Sequence, residues 1–151
     1  MGFFDGYNVA TSGMSAQRTR INVVSANIAN AQTTHSTKDG KPYQKQNVVF
    51  KEILLGSQDK SKVNENLTLD PLALKGVKVS EIGNFQKDPT VLKYEPNHPD
   101  ANKDGYVAYP NINPVIEMVD LIEAMRSYEA NVSSFKTQKE MDTATLDIIK
   151  S

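Results

Sequence analysis

Apolar positions recur at alternating gaps of four and three in two long stretches, one at each end of the chain. In "DGYNVATSGMSAQRTRINVVSANIANAQ", residues 5–32, Ala10, Met14, Gln17, Ile21, Val24 and Ile28 fall on one such line. This is the a/d spacing that lets a helix wind against a partner helix. No proline interrupts the stretch, and Gln17 thins the seam at its middle. Ser12, Gly13, Ser15, Ala16, Ser25, Ala26 and Ala29 flank it. Small flanking residues let two backbones approach closely but weaken an isolated helix. An amphipathic helix lying on the chain's own core has the same pattern, and spacing alone does not separate the two. From Asn113 to Ile149, Met118, Leu121, Met125, Tyr128, Val132 and Phe135 repeat the gaps. The line then turns polar at Gln138, Lys139 and Asp142 and resumes at Leu146 and Ile149. Asn113 is a good N-cap and Pro114 a good first helical residue. Glu117, Asp120 and Glu123 suit the positive end of a helix, and read as a solvated face or a surface for a basic partner. At 1.5 Å per residue this second helix spans roughly 50–55 Å.

Between the helices lie six of the seven prolines. "YQKQNVVF" (43–50), "LKGVKVSEI" (74–82) and "TVLKYE" (90–95) read as strands, and the polar, turn-rich residues 56–70 as a loop. The expected fold is mainly α with a small β insert: residues 1–34 and 113–151 form a core of two long helices paired as a coiled coil, and residues 35–112 form a β-hairpin and loop region.

This layout creates an energetic problem. Two helices of such length cover each other on one side only, and the insert has too few large apolar residues to cover the rest. Such a pair alone in water is marginal where the seam is thin and at its ends. Partner chains are the simplest cover.

Composition narrows the chemistry. The 151 residues suffice for one ordinary domain, with 38% hydrophobic and 23% charged residues and no cysteine. The lack of cysteine excludes disulfides, thiolate metal sites and a cysteine nucleophile. The net charge of −1 gives no field to attract nucleic acid or an anionic membrane. No stretch has the ~18–20 apolar residues of a membrane span. The opening "MGFFDGYNVATSG" has neither a basic n-region nor a long apolar h-region, so passage without a cleaved leader is expected. The ends differ in sign: residues 1–34 carry Asp5, Arg18 and Arg20, while residues 114–151 carry seven acids against four bases.

One segment invites a metal reading. In "NHPDANKDGYVAYPN" (97–111), Asp100, Asn102, Asp104 and Gly105 are spaced like the first half of an EF-hand loop. The twelfth position is Asn111 rather than a bidentate Glu, the ninth is Ala108, and Pro96 and Pro99 break any preceding helix. A tight turn is the better reading, since Asn and Asp bond their own backbone and Gly accepts positive φ. His35 and His98 lack partners for zinc or for nucleophilic catalysis. No catalytic, cofactor or metal site is therefore assigned.

"SGMSAQRTRINVVSANIANAQTT" (12–34) resembles the N-terminal signature of the bacterial flagellar axial proteins, the rod, hook and hook-associated subunits. The characteristic stretch here is Ser25, Ala26, Asn27, Ile28, Ala29, Asn30 and Ala31. "HPDANKDGYVAYPNINPVIEMVDLIEAMRSYEANVSSFKTQKEM" (98–141) is similar to the basal-body rod proteins within that family. Pro114 is a departure, tolerated because it is the first helical position.

The resemblance implies a structural subunit of the proximal rod, without enzymatic activity, that polymerises helically into the drive shaft carrying motor torque to hook and filament. It implies a periplasmic location in the flagellar basal body. The implied partners are copies of the same chain, other proximal- and distal-rod subunits, the basal-body adaptor and the flagellar type III export apparatus, with no nucleic acid and no membrane insertion. Met14, Ile21, Val24, Ile28, Leu121, Met125, Tyr128, Val132 and Phe135 would form the assembly seam, and Asn27 and Asn30 would bond backbone where the first helix ends. The alternatives are a distal-rod or other axial subunit, and a periplasmic cell-wall hydrolase, which would need a buried acid or metal site.

Overall fold

The computed structural model describes residues 5–35, 40–55 and 75–150. Helix α1 runs Asp5–Ala29, strand β1 Asn47–Leu54, β2 Lys75–Gly83, β3 Thr90–Tyr94, β4 Tyr106–Pro110 and helix α2 Pro114–Lys150. Helix accounts for about half of the described chain. The segment 56–70, read above as a loop, lies outside the described residues.

The strands form two separate antiparallel pairs. Asn47 faces Gly83 and Leu54 faces Lys75 in β1–β2, with a bulge after Val49; Thr90 faces Pro110 and Tyr94 faces Tyr106 in β3–β4. Two differences from the sequence reading follow. Residues 43–46 do not join the sheet, because Tyr43 and Gln46 instead bond Asn27 of α1. Tyr106–Pro110, not among the stretches read as strands, is a strand; Pro110 is tolerated at its end, where no ladder donor is needed.

The loop from Glu95 to Tyr106 is the expected tight turn. The Asn102 side-chain oxygen accepts the Asp104 and Tyr106 amides at 2.9 and 2.8 Å. Gly105 has φ = +79°, which a side chain would strain, and a Cβ there would meet the Tyr94 ring at 2.9 Å. The Asn113 carboxamide accepts the Val115 amide at 3.0 Å and caps α2 as predicted.

The two helices run antiparallel. Asn27 at the end of α1 meets Glu117 at the start of α2, Arg20 meets Asp120, Gly13 meets Asn131, and Tyr7 meets Phe135 and Asp142. On α2, Glu117, Leu121, Ala124, Tyr128, Asn131, Phe135, Gln138 and Asp142 fall on this line, all buried or half-buried. On α1 the line is Gly6, Ala10, Gly13, Gln17, Arg20, Val24 and Asn27.

The lines predicted from apolar residues share every second position with these. Between the shared positions the lines differ: Gly6, Gly13, Arg20 and Asn27 of α1 stand against Gln138, Asn131, Asp120 and Glu117 of α2. The outer side of α1 packs on the first sheet: Ser12 Oγ accepts the Val77 amide at 3.1 Å, and a Cβ on Gly76 would stand 2.9 Å from that oxygen.

The apolar interior is correspondingly small. Among the described residues the buried hydrophobic side chains are Ala10, Ala16, Val24, Ala31, Val107 and Ala124. Four alanines and two valines bury little area, so close backbone approach takes the place of bulk. A Cβ on Gly13 would lie 2.9–3.0 Å from the Asn131 carboxamide. Replacing Gly13 with Leu is therefore expected to push the helices apart and destabilise the chain by about 1–3 kcal/mol, the usual cost of overpacking, read as a lower midpoint in thermal unfolding followed by circular dichroism.

Candidate assembly surface

Beneath the surface lies a polar knot that sets where the two helices meet. Asn27 is 0% exposed and Glu117 1%. The Asn27 amide nitrogen donates to Glu117 Oε2 at 3.0 Å and to the Gln46 carbonyl at 2.9 Å. Its oxygen accepts the Tyr43 hydroxyl at 3.0 Å and the Gln46 amide at 2.9 Å. All four hydrogen-bonding positions of the carboxamide are filled. Lys45 Nζ lies 2.6 Å from Glu117 Oε1 and neutralises the buried carboxylate.

Burial and the nearby Glu117 charge raise the Tyr43 hydroxyl's pKa, so it stays protonated as a donor. A cleft of about 250 Å³ lined by Arg20, Val24, Lys45, Phe50, Glu117 and Asp120 adjoins the knot. The acids at the start of α2 thus have intramolecular partners: Glu117 in the knot, and Asp120 and Glu123 beside Arg20 at 3.5 and 3.9 Å. For Glu117 this overturns the solvated-face reading, because Lys45 reaches it from a segment seventy residues away, a contact no local pattern encodes.

Beside the inward line, which mixes Glu117 and Asn131 with Leu121, Ala124, Tyr128 and Phe135, α2 carries further apolar groups that face solvent. Val115, Ile116, Met118, Val119, Ile122 and Met125 are all exposed, Val115 to 68%. Val115, Val119 and Ile122 recur at helical spacing on the side away from α1, with Met118 and Met125 beside them. Farther along, Met141, Leu146, Ile148 and Ile149 are exposed as well.

The predicted assembly residues divide between these surfaces. Val24 is buried; Met14, Ile21, Ile28, Leu121, Tyr128, Val132 and Phe135 are half-buried; Met125 is exposed. In the axial stretch, Asn27 and Ala31 are buried, Ala26, Ile28 and Asn30 half-buried, and Ser25 and Ala29 exposed. Asn30 donates to the Ala26 carbonyl at 2.9 Å and accepts from Thr33 at 3.2 Å, closing the end of α1. Sequence reasoning missed Tyr43, Lys45 and Gln46. One signal was available: apolar residues surround Glu117 in "PVIEMVDLI" on every side of the helix, so no face there is plainly a solvent face.

A second polar cluster ties the segment after α1 to the loop before β4. Thr34 donates to Asp100 Oδ2 at 2.6 Å and His35 Nδ1 lies 3.1 Å from Oδ1. The Thr34 hydrogen bond, aided by His35 and His98, holds the Asp100 carboxyl below its ordinary range. Among the described residues no group of three His, Asp or Glu is placed to hold a metal ion, and no helix is long and apolar enough to cross a membrane.

A small alanine interior and a broad exposed apolar helix face together suit a structural protein that assembles with others. The family described as "Flagella basal body rod protein" matches residues 8–34, and "Flagellar basal body rod FlgEFG protein C-terminal" matches residues 103–148. The flagellar basal-body rod protein FlgC of Borreliella burgdorferi is 42% identical, with 99% of each chain covered. That of Bacillus subtilis is 39% identical over 97% of this chain and 98% of the relative, and that of Salmonella typhimurium 36% over 98% of each. The chain belongs to the FlgC family of flagellar basal-body rod proteins. It is a structural subunit of the rod and not an enzyme.

Two outcomes test the clusters. Replacing Asn27 with Ala leaves buried partners unpaired at about 1–3 kcal/mol each, so it should lower stability in urea denaturation well beyond Asn30→Ala, expected at about 1 kcal/mol. For Asp100 the depressed pKa places its contribution above the unfolded aspartate value of about 3.9, to be lost as pH falls through the lower folded value. The thermal midpoint of wild type should therefore exceed that of Asp100→Asn at about pH 6, and the gap should close toward about pH 3.

Proposed function

We propose that the chain is a proximal-rod subunit whose helices pair as a coiled coil and polymerise through the outward apolar face of the first three turns of α2. The observation that carries this is the exposure of Val115, Met118, Val119, Ile122 and Met125 on a helix whose other side already packs on α1. Covering such half-exposed side chains is worth on the order of 1 kcal/mol each, comparable to what the small interior of the single chain supplies.

In this reading residues 1–34 and 113–151 make the core and residues 35–112 an outward insert. Met14, Ile21, Val24 and Ile28 with Leu121, Met125, Tyr128, Val132 and Phe135 make the seam within and between subunits, and Asn27 and Asn30 fix the end of α1 that it builds on. Heterologous contacts repeated along an open helix give a rod. Closely packed helices resist bending and twisting because their interiors are nearly incompressible, which suits transmission of motor torque to hook and filament. The partners are further copies, the other proximal- and distal-rod subunits and the basal-body adaptor. The subunit works in the periplasmic rod and leaves the cytoplasm through the flagellar type III export apparatus, consistent with the absence of cysteine.

The test places Asp at Ile122 and, separately, at Val119. Both side chains are exposed, so the helical signal and the unfolding midpoint of the isolated chain should change by less than about 0.5 kcal/mol. Cells carrying either variant as their only copy should lose motility and yield basal bodies without a complete rod. Normal swimming by both variants would overturn the proposal.

A further inference from the structure

Three titratable or polar groups of the Asp100 cluster are arranged so that a proton changes their bonding. Asp100 uses its backbone as well as its carboxylate: its amide donates to His98 Nδ1 at 3.1 Å. An imidazole nitrogen that accepts carries no proton, so this geometry belongs to neutral His98 with its hydrogen on Nε2. The same Nδ1 stands 3.9 Å from Asp100 Oδ2. His35 has the opposite arrangement, since its Nδ1 must carry a hydrogen to bond Asp100 Oδ1 at 3.1 Å. Two imidazoles thus meet one aspartate in opposite tautomers, one on the segment leaving α1 and one on the turn that leads to β4.

We propose that Asp100, His35 and His98 form a proton-operated latch between the exit of α1 and the β3–β4 hairpin. A proton taken up from solvent by His98 Nδ1 removes the acceptor of the Asp100 amide. The new N–H then turns to Asp100 Oδ2, where it competes with the Thr34 hydroxyl at 2.6 Å. Protonation of His35 leaves its donor in place and makes the contact with Oδ1 ionic, which strengthens it. Acid therefore loosens the turn at 98–101 while tightening the tie to α1.

His35 is exposed and His98 half-buried, so solvent protons reach both. Among the described residues the charged and titratable groups around them are few. Glu95 accepts the Tyr109 hydroxyl at 2.8 Å, which raises that hydroxyl's pKa and keeps it neutral. Lys93 lies over the Tyr109 ring at 4.6 Å, and the Tyr109 and His98 rings are 6.2 Å apart. Asp100 is thus the carboxylate in direct reach of both imidazoles. The latch needs no second chain and is independent of how the rod assembles.

The experiment is amide hydrogen exchange of the full chain, labelled with ¹⁵N, normalised for intrinsic exchange, at about pH 8 and about pH 5. Protection of the Asp100 amide should fall about fivefold at the lower pH, the equivalent of one hydrogen bond of about 1 kcal/mol. In His98→Asn the side-chain oxygen accepts the same amide at any pH, as Asx residues do in turns, so protection should be equal at both. Equal protection in the wild type, or a fall that persists in His98→Asn, would overturn the latch.

Discussion

The buried contact between Asn27 and Glu117 is the constraint from which the rest of the architecture follows. It joins the last turn of α1 to the first turn of α2 and, through Gln46 and Lys45, recruits the segment that leads into β1. A carboxylate withdrawn from water is tolerated only with a counter-ion and hydrogen bonding. Lys45 supplies the counter-ion beside Oε1, and Asn27 donates to Oε2. Because every lone pair and proton of Asn27 is engaged, a slip of one residue along either helix would leave several buried groups unpaired. The knot therefore sets the register of the antiparallel pair more firmly than its few alanines and valines could, since apolar contacts are non-directional.

Placing polar groups on the inward line has a consequence on the outer one. The first three turns of α2 are apolar around most of their circumference, and Glu117 and Asp120 claim the side toward α1. Val115, Val119 and Ile122 are left facing solvent. In this stretch polar groups help to specify the fold within one chain, while apolar groups remain exposed. Such a division suits a subunit that must fold in one way and then bind neighbours, because hydrogen-bonded networks give specificity while exposed apolar area gives association energy.

The β elements answer to the same framework. The first sheet lies on α1 where Gly76 and Ser12 allow backbone and helix to touch. The second is joined to the end of α1 by Asp100 and leads into α2 through the Asn113 cap. Each sheet has only two strands, too few for independent stability, and borrows order from the helices it touches.

The sequence by itself determined both helices and three of the four strands, while β4 went unread. Periodicity located both helices to within a few residues, Asn113 and Pro114 marked the start of α2, and Asn102 with Gly105 marked the turn, because caps, turns and repeats are encoded by neighbours within a few positions. The axial stretch around Asn27 and Asn30 was legible for the same reason. Only the tertiary structure decided which helix face turned inward. Gly6, Gly13, Arg20 and Asn27 of α1 meet α2 between the positions shared with the predicted line, where backbone proximity and the buried pair of Glu117 with Lys45 set the packing. Those partners lie tens of residues apart along the chain, and a local pattern carries no record of a charge that will arrive from so far away.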